Sequence, residues 1–319
     1  MTEIAILGVP TSAGAFAPGQ EGAPTALRKA GLVVALEEAG LVVIDRGDRE
    51  VWRWRPDRVD RRAQNLDKVT EIARETGGRV AEAVAAGELP LVLGGDCTVG
   101  IGTVAGLGPG TGLLYLDSHA DLNVPSSVHE GALDWMGLAH MLGLEGARRE
   151  LVEVGPRVPL LAPDQVTLVG WGPAQATEFE QRQVEELGLE VFDVDTVAAD
   201  PAAVTARAVA SLEGRCERIA VNCDVDLVDF TDTPLSENWG RNEGLPFDSF
   251  LAALRAALGA PALAAVTITE LNPQHTEPGA GAIERLVGVV AEALASSGRV
   301  SGSDGRDAGA CSTSPCGRS

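Results

Sequence analysis

The strongest constraint on this chain is a junction that recurs along it: a short apolar run that stops abruptly in carboxylate, imidazole or thiol side chains. Leu113-Leu-Tyr-Leu116 runs into Asp117, His119 and Asp121. Leu91-Val-Leu-Gly-Gly-Asp-Cys97 and Ile219-Ala-Val-Asn-Cys-Asp224-Val-Asp226 repeat the pattern. Runs this short, bounded by turn residues, read as buried strands. Alternate side chains at a strand end point the same way, so Asp117, His119 and Asp121 can converge. In an open α/β sheet, ligands bind just beyond the carboxyl ends of the strands. Three such strands ending together would gather Cys97, Asp117, His119, Asp121, Asp224 and Asp226. One junction alone reads equally well as a polar turn with an Asp cap. All three together supply more ligands than one ion needs. Two ions sharing bridging carboxylates account for the set and offset the repulsion among the acids.

Between the junctions, strand-like and helical stretches alternate. The pattern predicts strands near residues 4–10, 41–44, 89–93, 113–116, 165–169, 189–194, 218–222 and 263–269. It predicts helices near 26–36, 62–86, 99–105, 135–142, 174–187, 204–212, 247–258 and 280–294, with Pro24 suited to a helix start. Gly94-Gly95 is expected to turn the backbone sharply. Residues 48–60, with four arginines, Trp52 and Trp54, read as a surface excursion. Alternation of this kind implies an α/β protein, three layers deep, with a mostly parallel sheet of about eight strands covered on both faces. We expect one domain over residues 1–296. Residues 297–319, rich in Gly and Ser, are expected to be a disordered tail in which Cys311 and Cys316 are unstructured thiols.

The 319 residues carry a formal charge of −21. That balance argues against nucleic acid or an anionic membrane as partner and favours the approach of a small cation. No apolar run is long enough for a transmembrane helix. The start, Met-Thr-Glu-Ile, lacks the basic segment of a secretory signal. Five cysteines form no evident framework, so a reduced, cytoplasmic protein is expected.

Taken in order, Gly8-Val-Pro10, Gly22-Ala-Pro24, Gly94-Gly-Asp-Cys-Thr98, Asp117-Ser-His-Ala-Asp121, Asp224-Val-Asp226 with Asp229, and Glu270-Leu-Asn-Pro273 resemble the motifs of the ureohydrolase family, which includes arginase and agmatinase. The likeness spans about residues 3–295. It implies an arginase-like fold and a binuclear manganese hydrolase acting on the C–N bond of a linear amidine. It implies that Cys97, Asp117, Asp121 and Asp224 hold one ion, that His119, Asp117, Asp224 and Asp226 hold the other, and that Asp117 and Asp224 bridge. Hydroxide held between two manganese ions would be the nucleophile, with Asp121 holding its proton and Glu270 receiving the guanidinium. The family often assembles as trimers or hexamers, which implies a homo-oligomer.

The departures from that pattern bear on the substrate. Cys97 stands where the family has His, and a thiolate can shift metal preference toward Zn²⁺ or Fe²⁺. Relatives that act on Nω-hydroxyarginine look as though they carry Cys there. Asn123 matches a residue that binds the substrate α-carboxylate. Glu130 falls where arginase has Ser for that task, and would repel a carboxylate. Asp134 falls where the family has its proton-shuttling His, and His129 or His275 could substitute. Trp135 and Met136 are expected to pack, and Trp171 to wall the pocket. A guanidino or amidino compound other than L-arginine is therefore the expected substrate. The alternatives are plain arginase or agmatinase, a metal-binding but non-hydrolytic relative, and a histone-deacetylase-like amide hydrolase. The last is disfavoured because the ligand set suits two ions.

Overall fold

Apolar residues fill the predicted runs, and the inner strands they form are buried on both sides, while the two edge strands are partly exposed. Our computed structural model of the protein describes residues 3–238, 240–277 and 279–297. The strands are β1 (Glu3–Gly8), β2 (Val42–Asp48), β3 (Leu89–Leu93), β4 (Thr111–Leu116), β5 (Val166–Trp171), β6 (Glu190–Asp193), β7 (Arg218–Asp224) and β8 (Leu263–Thr269). They form one eight-stranded sheet in the order β2-β1-β3-β8-β7-β4-β5-β6, and every pairing is parallel. β3 and β4 are buried along their whole length, as central strands of a doubly covered sheet must be.

One face carries α1 (Ala23–Lys29), α2 (Leu32–Glu38), α8 (Val194–Ala199), α9 (Pro201–Glu213), α10 (Phe247–Leu258) and α11 (Ala282–Ser296). The other carries α3 (Leu66–Ala85), α4 (Val99–Leu107), α5 (Gly137–Leu142), α6 (Arg149–Val152) and α7 (Glu178–Leu187). Among the described residues, no helix is long and apolar enough to cross a membrane. The tail expected beyond the last helix lies, from residue 298 on, outside the described residues, as do Cys311 and Cys316.

Several boundaries differ from the sequence pattern, each for a local reason. The helix predicted at 26–36 breaks into α1 and α2 at Gly31, whose φ of 88° suits a residue without Cβ. α3 begins at Leu66 rather than at Arg62. The Asp60 carboxylate accepts from the Arg62 and Ala63 amides, and Asn65 sits at φ 57°. α7 begins at Glu178 because Thr177 and Glu180 form a reciprocal cap. The stretch 48–60 is no free excursion. Trp52 bonds through its backbone to Pro10 and Ser12, and Trp54 N donates to Ser12 Oγ, so the segment straps the amino-terminal loop. Gly95 does not serve a left-handed turn; a Cβ there would lie 1.6 Å from Thr11 O, so close approach of that same loop requires the glycine.

Candidate metal centre

Four neighbouring strands in the middle of the sheet, β3, β8, β7 and β4, release their chains toward one spot. Cys97 follows β3, Glu270 follows β8, Asp224 closes β7, and Asp117 follows β4. β8 lies between β3 and β7, so the junctions meet across four strands rather than three. Glu270 and Asp121 have φ of 61° and 47°. Backbone held in this sparsely populated region folds each carboxylate back over the strand ends, as strained residues at functional sites often do.

Among the described residues, three sets of ligand atoms lie within 4.8 Å of one another: Cys97 with Asp117 and Asp121; Asp117 with His119 and Asp226; and Cys97 with Asp224 and Glu270. The first two share Asp117. Its Oδ1 accepts the His119 amide at 2.6 Å, while its Oδ2 is buried with no hydrogen-bond partner. A buried carboxylate oxygen without a partner is costly, and a cation between the two sets would satisfy it. The donor set therefore fits a divalent metal centre.

The charges agree with that fit. Burial, then the neighbouring Asp226, pushes the Asp117 carboxyl up to about 7. Burial, with Asp117 close by, raises Asp121 well above the carboxylate range. Burial and the neighbouring Asp226 and Asp117 raise Asp224. Burial pushes the Asp226 carboxyl upward, but His119, whose Nδ1 lies 3.0 Å from Asp226 Oδ2, more than offsets it and leaves that acid low. Burial and surrounding carboxylates raise the Cys97 thiol, whose Sγ lies 2.5 Å from Asp224 Oδ2. Metal binding at Cys97 would thus release a proton.

His119 Nδ1 faces Asp226 and Asp117, and Nε2 faces Gln175 Oε1 at 3.1 Å and Asn238 Nδ2 at 3.0 Å. Gln175 Oε1 can accept an Nε2 hydrogen, while Asn238 Nδ2 also reaches Asp226 Oδ2 at 3.4 Å. Neither Gln175 nor Asn238 was predicted. Their only sequence signal is that polar amides sit in loops after strands. Glu270 is clasped by two donors: Oε1 accepts Cys97 N and Oε2 accepts Gln20 Nε2, both at 3.0 Å. Gln20 is fully buried, and it too escaped the sequence reading.

The ligands open into a narrow inner cavity that Asp134 and Glu270 also line. Asp134 is buried, and burial together with Glu270, Asp96 and Asp121 raises its carboxyl well above the usual range. Outside lies a cavity of about 410 Å³ lined by Asn123, Glu130, Gln175, Thr177, Glu180 and Asn238 among others. Phe16 and Trp135, with ring centroids 5.8 Å apart, line both cavities. Trp135 thus packs against the core, as expected, and also lines the site. Trp171 lines neither cavity and packs against the core, which corrects the expectation for that residue. Met136 is buried, as expected of a packing residue.

Asn123 Oδ1 accepts from Thr177 Oγ1 and Ser127 Oγ, both at 2.9 Å, which among the described residues leaves its Nδ2 as the available donor. Glu130 is exposed at the rim. His129 is exposed and lines neither cavity, and His275 Nδ1 pairs with Ser236 O at 2.7 Å, away from the ligand sets. Neither histidine is brought to the inner cavity. Asp229 accepts the Thr231 and Glu243 amides and shapes the loop after β7.

Comparison with known proteins sharpens the picture. The model of the Arginase family matches residues 2–295. The arginase of Brevibacillus brevis is 30% identical over 235 residues, covering 72% of this chain and 78% of its own. That of Bacillus caldovelox is 30% identical over 240 residues, covering 73% and 79%. The solved structure of the Bacillus caldovelox arginase superposes with a TM-score of 0.80 at 26% identity, covering 93% of this chain and 98% of that one. The formimidoylglutamase of Bacillus subtilis shares the fold, with a TM-score of 0.72 at 16% identity, covering 92% and 86%.

Proposed function

Since the chain belongs to the arginase family, and so is a hydrolase of carbon–nitrogen bonds in linear amidines, we propose that it holds two divalent cations on Cys97, Asp117, His119, Asp121, Asp224 and Asp226 and hydrolyses a guanidino or amidino compound other than plain L-arginine. Manganese is the first choice, with Zn²⁺ or Fe²⁺ as the alternative that Cys97 favours. Bound there, the cations would supply hydroxide at neutral pH and a Lewis acid beside the amidine carbon.

The chain's own residues do the rest. Glu270, steadied by Cys97 N and Gln20 Nε2, keeps lone pairs on both oxygens for a planar cation, and a charge-assisted pairing orients it. Asp121 holds the proton of the attacking oxygen. Asp134 Oδ1 accepts the Trp135 amide, which leaves Oδ2 to carry a proton toward the departing nitrogen. Its raised pKa brings it nearer the range useful for proton transfer. Glu130 and Glu180 make the outer cavity acidic, and among the described residues no Lys or Arg lines it, so a tail carboxylate finds no guanidinium or ammonium partner there. We also place the protein in a reducing cytoplasm, which keeps the Cys97 thiol available.

The single observation that carries the proposal is the orphaned Asp117 Oδ2, at the meeting point of two ligand sets in the cavity that Glu270 lines. The test is elemental analysis of the metal-replete protein, followed by assays on arginine, agmatine, Nω-hydroxyarginine, guanidinobutyrate and formimidoyl-glutamate. The proposal expects two ions per chain and arginine to be a poor substrate. A second reading, plain arginase, is supported by the names of the relatives and by the available Asn123 Nδ2. Urea release fastest from arginine, with ordinary saturation, would establish it in place of the first.

A further inference from the structure

Beneath the ligands lies a polar group that the mechanism above leaves unused: the phenol of Tyr115, the only tyrosine in the chain. We propose that Tyr115 is a positioning residue for Asp121, fixing which carboxylate oxygen is left for the cation and thereby the affinity of one of the two metal positions. This inference rests on the metal centre of the preceding section.

Tyr115 sits on β4 two residues before Asp117, and so on the same face of the strand. It is fully buried, and its O–H donates to Asp121 Oδ2 at 2.6 Å. The loop doubles back to permit this. Asp121 takes φ 47°, and its carbonyl accepts the Ala139 amide at 3.0 Å. Gly137, the first residue of α5, closes the far side: a Cβ there would stand 3.8 Å from Asp121 Oδ2 and 3.9 Å from the Tyr115 hydroxyl. With Oδ2 engaged, Oδ1 is the oxygen left to meet Cys97 and Asp117. If Tyr115 only filled the core, phenylalanine would pack as well without bringing a hydroxyl into a dry interior. A buried hydroxyl must find a partner, and here the partner is an oxygen of a ligand. Donors to ligand side chains typically set metal affinity by about 10- to 100-fold.

The test uses the full-length protein, wild type and Tyr115→Phe, which keeps the ring and removes the donor. Equilibrium dialysis with elemental analysis follows Mn²⁺ and Zn²⁺ occupancy. The expected result is that one of the two ions binds about tenfold or more weakly in the variant, while the other is little changed. Because the chain has one tyrosine, wild-type protein labelled with ¹³C at the tyrosine ζ carbon gives a single resonance. Loading with diamagnetic Zn²⁺ should shift that resonance in step with filling of the Asp121 position. Unaltered affinity for both ions in Tyr115→Phe, or a resonance indifferent to ions that do bind, overturns the proposal and leaves the metal centre standing. Equal weakening of both ions with a lower melting temperature of the metal-free variant would make Tyr115 merely structural and also overturn it. A wild-type protein that binds no ions removes the metal centre itself, and this inference with it.

Discussion

The cradle at the strand tips and the outer cavity beside it are built on different principles. Cys97, Asp117, Asp224 and Glu270 sit at or just past the ends of adjacent strands, where register decides their direction. A slip of one residue in β4 would turn Asp117 to the opposite face. The outer cavity is assembled from loops, and side chains fix it: Asn123 is held by Thr177 and Ser127, and His119 by Gln175 and Asn238. A frame set by backbone tolerates little change in its side chains. A wall set by contacts between loops can be rewritten one residue at a time without moving the frame. Glu130, at the rim of the outer cavity, and Asp134, in the short turn that lines the inner one, are on loop-built structure of that second kind, whereas Cys97 lies in the frame itself.

The comparison breaks first if the frame can lose a member and still work. On the proposed two-cation mechanism, Asp117→Ala or Asp224→Ala should cut turnover at least about 1,000-fold, since hydroxide at neutral pH would then be lost. Elemental analysis of the same variants should find fewer than two ions per chain. Retained turnover in either would mean that the cradle is not the reacting centre.

The cradle also has a pH signature in metal-free protein. Asp117, with its carboxyl raised to about 7, and the raised Asp121, Asp224 and Glu270 bind more protons folded than unfolded. Their contribution to stability is complete below the unfolded carboxylate pKa of about 4 and is lost as pH rises through the raised values. His119, also raised, acts in the same direction at higher pH. Asp226, which is lowered, loses its contribution only as pH falls below that window. The melting temperature of metal-stripped protein should therefore fall between about pH 5 and pH 8, and saturating metal should abolish the fall. A flat profile in stripped protein would mean that these acids are better solvated than the buried geometry requires.

The same contrast explains what could be read from the sequence. Ligand-type residues at strand ends follow from period-two alternation, so the cradle and the parallel sheet were legible. Tyr115 obeys the same alternation, but inside an apolar run it reads as core. Trp135 lines the cavities as well as packing, and Trp171 packs without lining them, because periodicity says nothing about loops. Trp135 is turned into the cavity by the short helical turn Leu133–Met136, while Trp171 ends β5 and packs inward. Gln20 lies 250 residues from its partner Glu270, and no local signal could have joined them. Breaking that link gives an intermediate effect. Gln20→Leu should lower kcat/KM by about tenfold, the scale of one hydrogen bond to a charged group, with the metal count unchanged. A loss of metal instead would make Gln20 part of the frame.

The remaining effects belong to the inner cavity and the rim, down to the smallest at Glu130, and here the expected change is a gain. Asp134→His places a group with a pKa near neutrality against the inner cavity, and should raise turnover of arginine by about tenfold if proton delivery limits it. The cluster of acids around position 134 would keep the imidazole protonated to higher pH, whereas Asp134 itself gives up its proton as pH rises, so the gain should be largest at and above neutral pH. Glu130→Ser removes an exposed charge at the rim, where screening is strong. It should lower KM for arginine only about two- to threefold, leave kcat unchanged, and matter less as salt is raised. If instead Glu130→Ser changes kcat and Asp134→His changes only KM, the two positions have been assigned the wrong way round: the rim would govern the chemistry, and the inner cavity would govern recognition of the tail.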